Sequence, residues 1–376
     1  MAHVHITLVG GQPAPVYNGI VATMPDKIIF VHSPQSEEEM KRISTEVRIE
    51  SEPLSVDPVD LSDIETKISA CAKRLQDDEV SVNISGGTKP WAFYCAKIFS
   101  TLPQATLFYV DQNNVLWNLS DKSSTRIVFD MDAQLKLTGN RLEFFTSFPD
   151  YNDDDKKSFD SIVEARKYNC GSFNALTTTL SKDWEGKLKN QRKGRFSISE
   201  MEYVEWQKPD YVKLVLRTKK YGIRQFEIKS PHAVNLAFKT GWFEYKIARM
   251  ISHWRYAKDI RLNCIFPLKN TNDVDHPKNE IDIIVNVGTK ILFVECKTHI
   301  QNSTDIDKFR TAVKNYGGMG SKALFVTDNN MTDIQKEKCK ESGIINFSLQ
   351  DSSYGNDKEL ELFKLLENVL FNINTK

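Results

Sequence analysis

The stretch EIDIIVNVGTKILFVECKT, from Glu280 to Thr298, sets Glu280, Asp282, Glu295 and Lys297 into two apolar, β-branched arms. Val287-Gly288-Thr289-Lys290 reads as a tight turn between the arms, with glycine where a hairpin tolerates positive φ. A turn centred on Gly288-Thr289 sets Asp282 opposite Glu295 and Glu280 opposite Lys297. Alternation puts Ile291, Phe293, Glu295 and Lys297 on one face of the second arm, and Leu292, Val294 and Cys296 on the other. Directly opposed β-carbons lie about 4.5–5.5 Å apart, and like charges so placed destabilise a sheet. A divalent cation between the two carboxylates removes that conflict, and oxygen-only ligation suits Mg2+ or Mn2+. Lys297, one pleat from Glu295, is then placed to orient or activate a water, or to stabilise developing charge. The plainer alternative is a solvated strand end with a Glu280–Lys297 cross-strand ion pair.

A second set of residues lies in NISGGTKPWAF, Asn83–Phe93. A strand runs into Ser85-Gly86-Gly87-Thr88-Lys89 and then into a helix with Pro90 in its first turn. The glycines let backbone approach a ligand, Thr88 caps the helix, and the helix N-terminus with Lys89 attracts anions. A tight turn with no ligand fits the same residues. The GxxxxGK[ST] spacing of a P-loop is absent, and so is GxGxxG, which argues against a dinucleotide dehydrogenase.

These residues need elements to hold them. The first 120 or so residues alternate short apolar strands (HVHITLVG, KIIFVHS, VSVNIS, ATLFYVD, NVLWNLS) with helices at Ser36–Thr45, Asp60–Leu75 and Lys89–Phe99. That alternation predicts a mostly parallel, Rossmann-like sheet with helices on both faces, binding ligand at the carboxyl ends of its strands. Residues 136–235 form a small α+β middle region, with a basic stretch at 181–195 and a hairpin turning near Lys219–Gly222. From 236 the pattern is helix, hairpin, helix, strand, helix, strand, helix, the first helix carrying Trp242, Phe243, Ile247, Met250 and Ile251 at helical spacing. The domain division is thus 1–135, 136–235 and 236–376.

Composition excludes several classes. The 376 residues are enough for two or three domains, and 40% apolar with 27% charged content is ordinary for a globular protein. Fifty Lys and Arg balance fifty Asp and Glu, so net charge names no partner. The six cysteines form no CxxC, zinc or disulfide pattern, which fits a reducing cytoplasm. The N-terminus does not read as a signal peptide, and no apolar run is long enough for a membrane span.

Asp282, Glu295 and Lys297, in that order, resemble the PD-(D/E)xK nuclease signature, although Ile281 rather than proline precedes Asp282. The resemblance implies that Asp282, Glu295 and the backbone carbonyl of Cys296 bind metal. It implies that Lys297 acts on the attacking water or the phosphate, and that Glu244, on the preceding helix, joins the catalytic set. For Glu244 the alternative is a solvated carboxylate in the first turn of its helix; His299 reads as a neutral strand-end residue. Together with VGGQPAPVYNGI after the first strand and NISGGTKPW after a later one, the motif resembles CARF-domain nucleases of type III CRISPR antiviral defence. That family implies a homodimer sharing one cyclic oligoadenylate, cyclic tetra-adenylate foremost, as allosteric activator, and a metal-dependent endonuclease cutting DNA, RNA or both. Carried onto this chain, the ligand segments are Gly10, Gly11, Gln12 and Pro13, and Ser85, Gly86, Gly87, Thr88 and Lys89. Gln12, Thr88 and Lys89 are the foremost adenine contacts, followed by Tyr17, Asn18 and Asp111. The rival readings are a non-catalytic CARF-type regulator that binds nucleic acid, and a nuclease active without an activator.

Overall fold

The computed structural model describes residues 1–178, 182–267, 279–300, 302, 304–318 and 320–373. Its N-terminal part runs β1 (His3–Leu8), α1 (Pro13–Thr23), β2 (Lys27–His32), α2 (Glu37–Val47), β3 (Glu50–Ser55), α3 (Leu61–Arg74), β4 (Glu79–Asn83), α4 (Lys89–Phe99), β5 (Ala105–Val110), β6 (Val115–Asn118) and β7 (Ser124–Arg126). The sheet order is β3-β2-β1-β4-β5-β6-β7. It is parallel through β5, and β6 and β7 return antiparallel. Its two faces bury separate cores, one against α3 and α4 through Ile64, Ile68, Trp91 and Phe99, the other against α1 and α2 through Val16, Ile20, Met40 and Ile43. The helix α1 and the edge strand β3 were not among the expected elements. ESEPLS hides β3 because half of it is solvent-facing and Pro53 interrupts it, which an edge tolerates.

Next come α5 (Met131–Leu137) and β8 (Phe144–Ser147). The middle segment follows as α6 (Asp153–Tyr168), α7 (Cys170–Thr177), α8 (Lys182–Asn190), β9 (Lys193–Ser197), β10 (Tyr203–Gln207), β11 (Tyr211–Thr218), β12 (Gly222–Lys229) and α9 (Ala233–Ala237). Its antiparallel sheet has the order β12-β11-β10-β9, with the expected hairpin joining β11 to β12. Ser181, the first residue of the basic stretch, lies outside the described residues.

The C-terminal block is α10 (Gly241–Ser252), β13 (Asp259–Phe266), β14 (Asn279–Asn286), β15 (Ile291–Lys297), α11 (Thr304–Gly317), β16 (Lys322–Thr327), α12 (Asp333–Glu341), β17 (Ile344–Ser348) and α13 (Lys358–Phe371). Its sheet order is β17-β16-β15-β14-β13-β8. The strand β13 is an addition to the expected order, and the edge strand β8 comes from within 136–235. One continuous apolar core runs from Phe159 and Phe173 of the middle segment, through Trp242 and Phe243 of α10, to Leu366 of α13. The middle segment and the C-terminal block therefore fold against each other.

The helix α5 joins the N-terminal and C-terminal sheets. Leu137 enters a core of the first, while Met131 and Leu135 enter the second core of the last. Asp132 accepts two hydrogen bonds from Arg261 of β13, at 2.6 and 2.8 Å. The N-terminal part also reaches the tip of the β14–β15 hairpin, where Asn114 Nδ2 donates to Thr289 O at 2.9 Å. Among the described residues, no helix is long and apolar enough to cross a membrane.

Candidate functional site

The β14–β15 turn forms as its residues predict. Val287 N donates to Lys290 O at 3.1 Å, and Gly288 sits at φ +82°. The pairing Ile283–Val294, Ile284–Phe293, Val285–Leu292 and Asn286–Ile291 is the expected register. The ladder stops one residue short of Asp282. There the Asp282 carboxylate accepts the Cys296 N–H at 2.7 Å. Strict alternation also fails at this point, for Ile283 packs into one core and Ile281 into the other. On the neighbouring strand Asn263 adopts φ +51°, and Leu262 and Cys264 likewise divide between the two cores. The paired strands thus turn over around Asp282.

Lys297 Nζ lies 2.6 Å from Glu295 Oε1 and 3.9 Å from Asp282 Oδ2. All three side chains are mostly buried at the end of the hairpin. Burial raises the Asp282 carboxyl, against the pull of Lys297 and the Cys296 N–H. Burial, and then the charge of Asp282, push Glu295 up to about 8. Burial works against the Lys297 ammonium, but Asp282 and Glu295 outweigh it and hold the proton on more tightly than usual. Glu244, in the first turn of α10, is raised well above the carboxylate range by burial, then by Asp282 and Glu280. Glu244 is therefore not the solvated helix-end carboxylate of the plainer reading. Glu280 is raised in the same way, by burial and Asp282. The sequence singled it out only as half of a surface ion pair.

Asp282, Glu295 and Glu244 thus gather around one lysine in a partly desolvated cleft, with Glu280 at its exposed rim. Among the described residues, no three His, Cys, Asp or Glu side chains converge closely enough to hold a metal ion. The donor chemistry nevertheless suits a hard divalent cation: the side chains offer oxygen atoms, in excess over positive charge, and burial raises each carboxyl, a cost that a bound cation would offset. Cys296 keeps its side chain in the core, 1% exposed, so only its backbone faces this site. His299 is exposed.

Two further groups border the cleft. Tyr151, after β8, has its phenol raised by burial, against a pull from Asn263 and with Glu244 adding to the shift. Asp328 donates its N–H to Lys297 O at 3.1 Å, and its carboxylate faces Arg166 at 3.3 Å and Lys246 at 4.0 Å. Neither carries a sequence signal, because each depends on packing between distant segments.

The glycine-rich loops meet each other at the carboxyl ends of β1 and β4. A side chain at Gly10 would come 2.9 Å from Gly87 N. Gly86 packs on the Leu8 carbonyl, and Gly87, at φ +69°, packs on Trp91 and Leu8, so the fold itself requires both glycines. The helices α1 and α4 start here, each with proline in its first turn and no acidic residue there. Gln12, Gly11 and Lys89 are exposed, and Gln12 makes no capping bond. Thr88 caps α4 by accepting the Trp91 N–H. Ser85 is turned inward, donating to Asn83 Oδ1 and accepting the Val110 N–H. Asn18 is 2% exposed and spends its amide on Asn114 and Gln134, so it is no adenine contact. Asp111 is likewise occupied, by the N–H groups of Asn113, Val115 and the Trp117 indole.

Residues 4–138 match the family model of the Card1 CARF domain. The N-terminal domain is CARF-like. Across the whole chain, the fold is similar to that of Can2 from Sulfobacillus thermosulfidooxidans, solved in complex with cyclic tetra-adenylate. The TM-score is 0.64 at 16% identity, covering 98% of this chain and 99% of that one. It is also similar to protein VC1899 from Vibrio cholerae, with a TM-score of 0.72 at 17% identity and 98% of each chain covered. At such identities the likeness shows a shared fold. No curated protein matches the chain.

Proposed function

We propose that the chain is a cyclic oligoadenylate-activated, metal-dependent endonuclease of type III CRISPR defence, with cyclic tetra-adenylate as activator and DNA, RNA or both as substrate. The observation that carries the sensing half is the CARF match over residues 4–138, supported by the shared fold with a cyclic tetra-adenylate complex. The cutting half is supported by Lys297 facing Glu295 and Asp282 at the open end of one hairpin, with Glu244 and Glu280 near enough to repel them.

In this reading Gly10, Gly11, Gln12 and Pro13 of one loop and Gly86, Gly87, Thr88 and Lys89 of the other receive the ring phosphates and bases. At the starts of α1 and α4, where Pro13, Pro15 and Pro90 lack an N–H and Thr88 takes that of Trp91, the Ala14 and Lys89 N–H groups and the helix dipoles would meet the anion. Ser85 shapes the second loop from within. A twofold ring calls for a twofold receptor, so the active form is a homodimer. Asp282, Glu295 and the Cys296 carbonyl would hold Mg2+ or Mn2+, which supplies Lewis-acid polarisation and a more acidic water. Lys297 donates to the phosphate or the attacking water, and Glu244 accepts a proton or orders that water.

The alternative is a CARF-type sensor that binds nucleic acid without cutting it. The decisive experiment incubates plasmid, single-stranded DNA and RNA with the protein and Mn2+ or Mg2+, with and without cyclic tetra-adenylate. Ring-dependent cutting supports the proposal. Binding of ring and nucleic acid with no cutting under either metal supports the sensor, and ring-independent cutting a nuclease of another control.

A further inference from the structure

A file of buried amides crosses from the N-terminal domain into the catalytic hairpin. Gln134 Nε2 donates to Asn18 Oδ1 at 3.2 Å, and Asn18 Nδ2 donates to Asn114 Oδ1 at 3.0 Å. Asn114 Nδ2 then donates to Thr289 O at 2.9 Å. The three amide side chains are 2–8% exposed. Each is both acceptor and donor except at the ends, so the file has one direction. Burying amides at a domain boundary is costly unless every one is paired, and apolar residues would fill the same space without that demand. Asn114 also holds φ +57°, a conformation uncommon for a side-chain-bearing residue.

The two ends of this file are informative. Asn18 is on α1, whose first residue, Pro13, belongs to the loop Gly10–Pro13. At 1.5 Å per residue it lies about 7.5 Å along the helix from that loop. Thr289 is in the turn between β14 and β15, whose other ends carry Asp282, Glu295 and Lys297. Glu295 lies about 17 Å from the turn along its strand. The hairpin is paired along its length to β13 on one side and β16 on the other, so a shift imposed at Thr289 is carried by these strands together to the carboxylates at their far end. Thr289 Oγ1 is itself buried without a hydrogen-bond partner, so the backbone carbonyl provides its tie to Asn114.

We propose that Asn114 is a positioning residue that transmits the placement of α1 to the β14–β15 hairpin, so that ligand at the N-terminal loops sets the geometry of Asp282, Glu295 and Lys297. This rests on the ring-activated nuclease reading. It adds a route within a single chain, beside any rearrangement of two protomers.

Two substitutions separate the link from its scaffold. Asn114→Gly keeps the left-handed backbone and deletes the amide. Asn114→Asp keeps the acceptor for Asn18 and removes the donor to Thr289. Three quantities are read for each: affinity for cyclic tetra-adenylate, cleavage without it, and cleavage at saturation. Both variants should bind the ring and cut unstimulated within about twofold of wild type, while stimulated kcat falls about fivefold or more at unchanged KM. Amide hydrogen exchange over residues 286–291 should respond to the ring in wild type and respond less in both variants. Full stimulation in both variants overturns the proposal, whatever their melting temperatures. So does a loss of stimulation matched by an equal loss of ring affinity, since Asn114 would then serve the ligand site. A wild-type protein that does not bind the ring overturns the functional reading itself, a different result from either. A wild type that binds without cutting leaves the exchange measurement to decide, and an unchanged ring response in the variants overturns the relay.

Discussion

The Lys297 ammonium sits 2.6 Å from Glu295 Oε1, two residues away on the same face of the same strand. With Asp282 at 3.9 Å, this lysine is the close countercharge of both carboxylates. The arrangement places one ammonium and two carboxylates around one point. Lys297→Ala should lower cleavage about 10²–10⁴-fold, the range for losing a positioned acid or base. Asp282→Asn and Glu295→Gln should abolish it with folding intact, as followed by circular dichroism. Cutting at near wild-type rate by any of the three would remove that residue from the mechanism.

The acid excess gives a pH dependence with a definite sign. Glu295 is raised to about 8 and Glu244 is raised too, so between the ordinary carboxylate range and pH 8 the folded state binds more protons than the unfolded. Stability then falls as pH rises through that window. Mn2+ should raise the melting temperature more at pH 8.5 than at pH 6, because it binds the ionised carboxylates. Glu295→Gln should flatten both trends. An equal metal shift at both pH values in wild type would place the ion elsewhere.

The N-terminal loops contain two kinds of residue, and substitution should tell them apart. Lys89→Ala and Gln12→Ala alter exposed side chains. They should weaken ring binding about tenfold for a lost charge-assisted contact, with an unchanged melting temperature. Gly87→Val instead places a side chain 2.7 Å from Trp91 Cε3, at φ +69°. It should cost about 1–3 kcal/mol of stability, seen as a shifted denaturation midpoint. Ring affinity unchanged by Lys89→Ala and Gln12→Ala together would remove these side chains from the ligand site.

Asp132 and Arg261 join α5 to β13 by paired hydrogen bonds, with Arg261 8% exposed and also bonded to Asp259. Asp132→Ala should cost about 1.5 kcal/mol, the low end for a bond to a charged group, because Asp132 is half exposed and Asp259 remains. Chemical denaturation measures it. A change within error would mean that Asp259 and solvent suffice for Arg261.

Local signals were legible in the sequence. The turn at Gly288-Thr289 and the β-branched arms fix the register that brings Asp282, Glu295 and Lys297 to one end of a hairpin, because turn geometry and strand period act between near neighbours. The strand β4, Thr88 and Pro90 announce α4 for the same reason. Tertiary structure alone decided the rest. Glu244 becomes a raised acid only when α10 packs on the hairpin and brings it beside Asp282 and Glu280. Asn18 looks like a ligand contact until Asn114 and Gln134 claim its amide. The 136–235 segment reads as a region of its own, yet β8 leaves it to edge the C-terminal sheet. Residues far apart in sequence also appeared far from one another's function, whereas Asn114 touches Thr289 directly. Period and turn chemistry are carried by a few adjacent residues, but a buried contact between distant segments depends on how whole sheets and helices stack, and no short stretch of sequence records that.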